Sequence, residues 1–453
     1  MRAKLLQEVE KEVTDFLSGL IRVNTTNPPG NETAAAKYTA KTLEKDDFKC
    51  EILESAPGRG SIVTRLKGTG EKPSLLLLSH LDVVAATPKE WSVDPFGGIV
   101  KDGFVWGRGA LDMKGMTAIE VMALKLLKRN KVKLKGDVIL AATADEEKGG
   151  EAGAGWLAKN HSKKVCADYV LNEGGGMAIR KNDKSIFTVN TAEKGIVWFK
   201  IRAKGRPGHG SVPTAADNAI LRMNKVVDKL GNYRAKIKIV PTVKQFLTAT
   251  AEQNKTLKQG LPILLKKPET GDQIMDKLAK EDRYLAEEIR SRLRMTVTPT
   301  IIHGGVKENI VPSECEAVFD CRVLPGQMPD DALKEIKGLL KDVGLDKLEF
   351  EIIQANEPTE SPVKTPLYGL IVKVLKEFDP HCSVAPTLLT GGTDSRFFRR
   401  KGSVCYGFHP IRADLLSYSE MQETIHGIDE RISVSNLVFG TSVLYETIER
   451  FIT

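Results

Sequence analysis

Two hydrophobic patterns alternate along the first part of the chain and predict strands followed by helices. Ser74–Ser79 and Val138–Ala142 are continuous apolar runs, which are typical of strands buried on both faces of a sheet. Met116–Leu127 instead repeats its apolar residues at helical spacing. The alternation predicts an α/β fold with three layers, in which helices cover a mostly parallel central sheet.

The pattern changes from about Thr191, where strands alternate apolar and polar residues. Val197–Ala203 and Thr296–Ile302 have this form, and Lys244–Leu293 is lysine- and glutamate-rich with a helical pattern. A sheet with two helices is typical of a small inserted α+β domain. The predicted domains are one α/β domain formed by residues 1–192 and 362–453, and an insertion formed by residues 193–361.

Composition narrows the possible classes of protein. Of the 453 residues, 41% are hydrophobic and 28% are charged, as in globular proteins. No run of about eighteen apolar residues occurs, and the N-terminal helix lacks an apolar signal core, so we expect no membrane contact and a cytoplasmic location. The net charge of +8 comes from lysines such as Lys125 and Lys128 on predicted helix faces. We expect these lysines to be solvated, and we expect no nucleic acid partner.

Acidic and histidine residues follow several predicted strands. Glu146 and Glu147 come directly after Val138–Ala142, where two adjacent carboxylates repel and lose hydration unless a cation compensates. The same position is occupied in other segments by His80, Asp82, Asp112 and Glu173. Taken singly, these residues are also consistent with a solvated acidic loop, a hydrogen-bonded loop histidine or a helix N-cap. Together they predict a metal site at the carboxyl edge of the sheet.

Six motifs in a fixed order carry a resemblance that spans nearly the whole chain. They are SHLDVV at 79–84, GRGALDMKG at 107–115, ADEE at 144–147, NEGGG at 172–176, GHGSVP at 208–213 and ETIHGIDERI at 423–432. Together they closely resemble the M20 metallopeptidases. Any one motif is weak, but six in the family order are specific.

The resemblance implies two Zn²⁺ ions per chain, and Co²⁺ or Mn²⁺ can share such nitrogen and oxygen sites. One ion would be held by His80 and Glu173, the other by Glu147 and His426, and Asp112 would bridge both. Glu146 would be the general base that takes a proton from water. Asp82 would orient the imidazole of His80.

The resemblance also implies that residues 1–192 and 362–453 form the catalytic domain and that the inserted domain, 193–361, is a lid and dimerisation domain. His209 would reach the oxyanion from the partner subunit of a homodimer, and Asn309 and Arg322 would hold the substrate carboxylate. The alternatives are a loop histidine and a surface salt bridge. The segment Gly391, Gly392 and Thr393 would place its backbone near the substrate, although a plain glycine turn is also consistent with it.

The implied activity is hydrolysis of a peptide or N-acyl-amino-acid amide bond in a small substrate with a free carboxylate. The length of Lys244–Leu293 favours the dipeptidase, carboxypeptidase and aminoacylase branches of the family. An acetylornithine deacetylase or succinyl-diaminopimelate desuccinylase is the alternative enzyme. A non-catalytic small-molecule binding protein of the same fold is the alternative of another class.

Overall fold

The computed structural model describes residues 2–181 and 184–453, and the side chains of residues 8–180 and 184–453. The chain divides into two compact units. The first unit consists of Met1–Thr191, Ser361–Thr387 and Thr393–Thr453, and the second of Ala192–Glu360 and Leu388–Gly392. Among the described residues, no helix is both long and apolar enough to cross a bilayer.

The secondary structure follows the alternation in the sequence. The first segment contains α1 (Arg2–Ile21), α2 (Glu32–Glu44), β1 (Cys50–Glu54), β2 (Gly60–Leu66), β3 (Leu75–His80), β4 (Ile99–Lys101), β5 (Phe104–Trp106), α3 (Lys114–Arg129), β6 (Val138–Thr143), α4 (Ala154–Asn160), α5 (Ser162–Val165), β7 (Tyr169–Asn172), β8 (Ala178–Lys181) and β9 (Lys184–Glu193). The middle segment contains β10 (Gly195–Lys204), β11 (Gly208–His209), α6 (Ala219–Gly231), α7 (Pro241–Ala251), α8 (Lys255–Lys266), α9 (Gly271–Ala279), α10 (Arg283–Arg292), β12 (Thr296–Gly304), β13 (Ile310–Val311), β14 (Glu314–Val323), α11 (Pro329–Leu339), α12 (Lys341–Gly344), β15 (Leu348–Asn356) and β16 (Thr359–Glu360). The last segment contains α13 (Pro366–Phe378), β17 (Ser383–Leu389), α14 (Ser395–Arg399), β18 (Val404–Gly407), α15 (Tyr418–Thr424), β19 (Arg431–Ser433) and α16 (Val434–Ile452).

The central sheet of the first unit has the strand order β1-β2-β6-β3-β7-β18-β9. Its middle strands are parallel, since β3 pairs in parallel with β6 and β7, and β7 pairs in parallel with β18. Leu75 and Leu77 of β3 belong to one hydrophobic core, whereas Leu76 and Leu78 belong to a second. The sheet is therefore buried on both faces, and the predicted fold class, α/β with a mostly parallel central sheet, is confirmed.

The sheet topology brings the motif residues to one edge. His80 ends β3, Glu146 and Glu147 follow the neighbouring strand β6, and Glu173 follows β7 on the other side. Because these three strands are parallel, their carboxyl ends lie at the same edge of the sheet.

The second unit contains an antiparallel sheet of order β12-β14-β10-β15. On β14 every second residue is buried, and Phe319, Cys321 and Val323 pack into the core of this unit. Asp320 and Arg322 lie on the opposite face of the strand. The four helices α7 to α10 occupy the stretch predicted to be helical.

Lys125 corrects one expectation from composition. We expected it on a solvated helix face, but its side chain is only 2% exposed. Its ammonium group forms ion pairs with Glu12, which lies on α1, and with Asp46 at 3.1 Å. The prediction was wrong because helix α3 is buried along most of its circumference, and the two carboxylates compensate the buried charge.

Candidate metal and catalytic site

His80 is fixed from both of its ring nitrogens. Its Nδ1 lies 2.9 Å from the main-chain oxygen of Asp82 and 3.4 Å from the carboxylate Oδ1 of the same residue. Its Nε2 lies 3.1 Å from Asp112 Oδ1 and 3.8 Å from Glu173 Oε1. Since Asp82 supports Nδ1, Nε2 is the atom that faces the other acidic groups.

Asp112 presents its two carboxylate oxygens to two different histidines. Oδ1 faces His80, and Oδ2 lies 3.2 Å from Nε2 of His426. The same Nε2 lies 3.3 Å from Oε2 of Glu147. Two groups of potential ligands result, and they share Asp112: one is His80, Asp112 and Glu173, and the other is Asp112, Glu147 and His426.

The donor set fits a pair of divalent cations. It consists of imidazole nitrogens and carboxylate oxygens, the ligands that zinc and related metals take in proteins. Oε1 of Glu147 is buried and has no hydrogen-bond partner among the described residues. Burial and the nearby carboxylates raise the pKa values of Glu146 and Glu173 well above the usual range of a glutamate. Bound cations would compensate this concentration of negative charge.

The histidines respond to the same charges. Burial alone would lower the pKa of His80, but hydrogen bonds to Asp112 and Asp82 raise it well above its usual value. Hydrogen bonds to Asp112 and Glu147 raise the pKa of His426 to about 10. Because a ligating imidazole nitrogen must be unprotonated, cation binding would release protons from this site.

Asp82 also holds the two glutamates in place. Its Oδ1 and Oδ2 accept the backbone N–H groups of Glu146 and Glu147, each at 3.1 Å. Asn27 donates its side-chain amide to Oδ2 at 2.8 Å. We predicted that Asp82 orients His80. Asp82 also binds the backbone of the turn that carries Glu146, the predicted base.

Asp145 and Arg59 support the same turn and were missed by the sequence analysis. Asp145 has a left-handed backbone with φ of +75°, which is uncommon for a residue other than glycine. Its carboxylate forms an ion pair with Arg59 and accepts the N–H of Ala152 at 2.9 Å. A single arginine in a loop carried no signal in the sequence.

Arg108 and Glu430 form a buried ion pair beside the site. Nη1 of Arg108 donates to Oε2 of Glu430 at 2.7 Å, and both side chains are at most 3% exposed. Each residue lies inside one of the six motifs, GRGALDMKG or ETIHGIDERI, but neither was assigned a role from the sequence. Their opposite charges, inside two motifs that carry proposed ligands, were the available signal.

The predicted substrate residues of the second unit fall at two places. His209 and Asn309 lie together, because His209 pairs with Ile310 and the N–H of Gly210 donates to the carbonyl of Asn309 at 2.8 Å. Both residues are exposed, and Nδ1 of His209 lies 2.8 Å from Oγ of Ser211. This pair adjoins the Glu314 end of β14.

Arg322 lies at the opposite end of β14. It is eight positions along the strand from Glu314, which corresponds to about 26 Å. Its Nε and Nη2 donate to the carboxylate of Asp320 at 2.7 and 3.0 Å. One chain therefore cannot place both Asn309 and Arg322 on the same small carboxylate.

The predicted backbone loop divides between the units. Gly391 and Gly392 belong to the second unit and Thr393 to the first. The side chain of Thr393 is buried, and its hydroxyl accepts from Nδ2 of Asn172 at 3.2 Å and from the N–H of Ser395 at 3.1 Å. Thr393 therefore supports Asn172, which directly precedes Glu173.

Comparisons with known proteins agree on one family. The model of Peptidase family M20/M25/M40 matches residues 76–450. N-fatty-acyl-amino acid synthase/hydrolase PM20D1 of Homo sapiens is 27% identical over 390 residues, which cover 84% of this chain and 75% of that protein. Aminoacylase-1B of Rattus norvegicus is 27% identical over 434 residues, covering 94% and 93% of the two chains. The M20 family metallo-carboxypeptidase Sso-CP2 from Sulfolobus solfataricus shares the fold, with a TM-score of 0.75, 18% identity, and coverage of 97% and 99%.

Proposed function

The chain belongs to peptidase family M20/M25/M40 and is a hydrolase of amide bonds, and we propose that it cleaves N-acyl amino acids or small peptides with a free carboxylate. The observation that carries this proposal is the pair of ligand groups that share Asp112. A carboxylate that faces two histidines with its two oxygens suits a two-cation centre.

The ligands proposed for one cation are His80, Asp112 and Glu173, and for the other Asp112, Glu147 and His426. We propose Zn²⁺ for both positions, with Co²⁺ or Mn²⁺ as substitutes. Cations bound there would supply Lewis acidity, which lowers the pKa of water and polarises the amide carbonyl.

Glu146 is the proposed general base. It lies next to the ligand Glu147, and the contacts of Asp82 to both backbone N–H groups fix the turn. In its charged form Glu146 accepts a proton from the attacking water and then delivers that proton to the departing nitrogen. Asp82 keeps His80 in the tautomer in which Nε2 is unprotonated and can bind a cation.

The second unit is the proposed lid and supplies the substrate contacts. Arg322 would bind the substrate carboxylate, because a planar guanidinium matches carboxylate geometry. His209 and Asn309 lie at the other end of β14, which supports their assignment to the active site of a partner subunit. The backbone of Gly391 and Gly392 would line the substrate.

The names of the relatives favour N-acyl amino acids within this class. The two relatives compared above are an N-fatty-acyl-amino acid synthase/hydrolase and an aminoacylase. N-acyl amino acids have an amide bond and an amino-acid carboxylate. These two groups match the proposed roles of the cation centre and of Arg322.

A substrate panel with defined metals tests the proposal. The metal-depleted protein is reloaded with Zn²⁺, Co²⁺ or Mn²⁺ and assayed on dipeptides and on N-acetyl, N-succinyl and long-chain N-acyl amino acids. We expect about two bound cations per chain and release of a free amino acid from at least one class. Glu146→Gln protein purified in parallel measures the background from contaminating hydrolases. Loaded protein that hydrolyses none of these substrates would overturn the proposal.

A further inference from the structure

Glu430 is a buried carboxylate whose contacts all lead to the loop that carries Asp112. Its Oε1 accepts the backbone N–H groups of Leu111 and Asp112 at 2.8 and 2.9 Å. Its Oε2 accepts the N–H of Gly109 at 3.0 Å and the guanidinium of Arg108 at 2.7 Å. Four donors therefore hold one carboxylate, and three of them belong to the backbone next to the shared ligand.

Arg108 extends this arrangement to the second histidine. Its Nη2 donates to the carbonyl of Gly427 at 2.6 Å, directly after His426. The guanidinium also lies over the ring of Trp91, 5.2 Å from its centroid. His426 has a left-handed backbone with φ of +58°, a conformation that persists in a non-glycine residue where neighbouring contacts hold it. One ion pair thus connects the loop of Asp112 with the loop of His426.

The other ligand group has separate supports. His80 is held by Asp82, and Glu173 follows Asn172, whose amide donates to Thr393 and Ser395. Neither support involves Arg108 or Glu430. A disturbance of the ion pair should therefore reach both groups through the shared Asp112, and the group that contains His426 through the Gly427 contact as well.

We infer that Arg108 and Glu430 form a positioning pair that fixes Asp112 and His426 relative to each other, so that the cation held by Asp112, Glu147 and His426 depends on it. The inference rests on the proposed function, because it takes both ligand groups to bind cations. Neither residue of the pair is a ligand. The pair acts by holding the backbone on both sides of the site, as supporting contacts around metal ligands do.

The test is a metal titration of the full-length apoprotein. Glu430→Gln keeps the shape of the side chain but replaces one acceptor oxygen with an amide donor. That amide would face backbone N–H groups or the guanidinium of Arg108, which are donors too, so at least one hydrogen bond is lost. Calorimetric titration with Co²⁺, followed in parallel by visible absorption, should give two equivalents for the wild type. In Glu430→Gln we expect the second equivalent to bind about 10–100-fold more weakly, with a smaller change in the first, which shares Asp112 but not His426.

Two further variants separate positioning from general destabilisation. Arg108→Lys keeps a positive charge but loses the guanidinium, which contacts Glu430 and Gly427 together. The second Co²⁺ equivalent should therefore bind more weakly in this variant too. This variant tests the inference if Glu430→Gln fails to fold. Lys125→Met removes another buried ion-paired cation, 2% exposed and on α3, that contacts neither ligand group. It should lower the melting temperature and leave both Co²⁺ affinities unchanged.

The outcomes separate the inference from the proposed function. If folded Glu430→Gln and Arg108→Lys bind two equivalents as tightly as the wild type, the positioning role is wrong while the two-cation function stands. The role is also wrong if Lys125→Met weakens the second equivalent as much as they do. If the wild type never binds a second equivalent, the two-cation function fails, and with it the purpose assigned to the pair.

Discussion

At the scale of single residues, Glu146 carries the most direct prediction. Glu146→Gln removes the proposed proton acceptor but leaves the ligands and the contacts of Asp82 to the turn in place. We expect two bound cations and a kcat lower by about 10³-fold, equivalent to about 4 kcal/mol of transition-state stabilisation. Metal analysis and steady-state kinetics on the same preparation measure both quantities. A metal-replete variant with near-normal kcat would exclude the general-base role.

Glu120 of α3 gives a prediction about stability and pH. Its side chain is fully buried, and burial raises its pKa to about 8, although the hydroxyl of Ser79 acts in the opposite direction. The folded protein therefore keeps a proton that the unfolded chain loses above about pH 4.5. The contribution of this group to the free energy of unfolding should fall as the pH rises from about 4.5 to about 8.

The measurement compares Glu120→Gln with the wild type by denaturant unfolding at pH 5 and pH 8. Because glutamine resembles the protonated acid, the variant should be similar to the wild type at pH 5 and more stable by a few kcal/mol at pH 8. Glu10→Gln, at an exposed position on α1, is the matched control and should show no such difference. An equal difference between Glu120→Gln and the wild type at both pH values would contradict the assignment.

The proposed ligand residues could be identified in the sequence because each follows a recognisable strand or lies in a family motif. Supporting residues gave no comparable signal. Glu430 and Arg108 lie in two of the quoted motifs, but their pairing across the chain depends on how β19 and β5 align beside the loop. Asn27 and Arg59 contact the site only because separate loops meet there, a consequence of tertiary packing that residue type and spacing do not encode.

At the scale of elements, the strands and long helices were predictable and the joins between the units were not. Polar and apolar residues alternate along β14 in step with its burial, because a half-buried strand has a period of two. Strands β8, β9 and β17 were not predicted; they lie next to the change of pattern near Thr191 and in the returning segment. There the hydrophobic pattern of one unit passes directly into that of the other.

Strand β14 also carries the prediction for Arg322. Arg322→Ala should mainly raise the KM for free-acid substrates, because the carboxylate is bound equally in the ground and transition states. Amidated or esterified analogues should be poor substrates of the wild type and should lose little further in the variant. Arg202→Ala, at another partly exposed ion pair of the same sheet, is the control. Equal rates of the wild type on free-acid and amidated substrates would remove this role from Arg322.

At the scale of the whole molecule, the distribution of predicted site residues argues for a dimer. Arg322 lies near one end of β14, and His209 and Asn309 adjoin the other end at Glu314, about 26 Å away along the strand. All three are proposed to contact one small substrate, which a single copy of this strand cannot allow. In a two-fold dimer each active site would take Arg322 from one chain and His209 from the other.

Complementation between two inactive variants tests this arrangement. Glu146→Gln lacks the base, and His209→Ala lacks a donor to the developing oxyanion, an effect of about 3–4 kcal/mol for one hydrogen bond. In a mixed dimer, one site combines the intact Glu146 of the second chain with the intact His209 of the first. Heterodimers isolated from co-expressed, differently tagged chains should therefore regain up to about half of the wild-type activity per dimer. A mixed dimer of Glu146→Gln with the double variant Glu146→Gln/His209→Ala has no intact base and is the control. Activity in isolated heterodimers no higher than in the two parental variants would mean that His209 does not act across the interface.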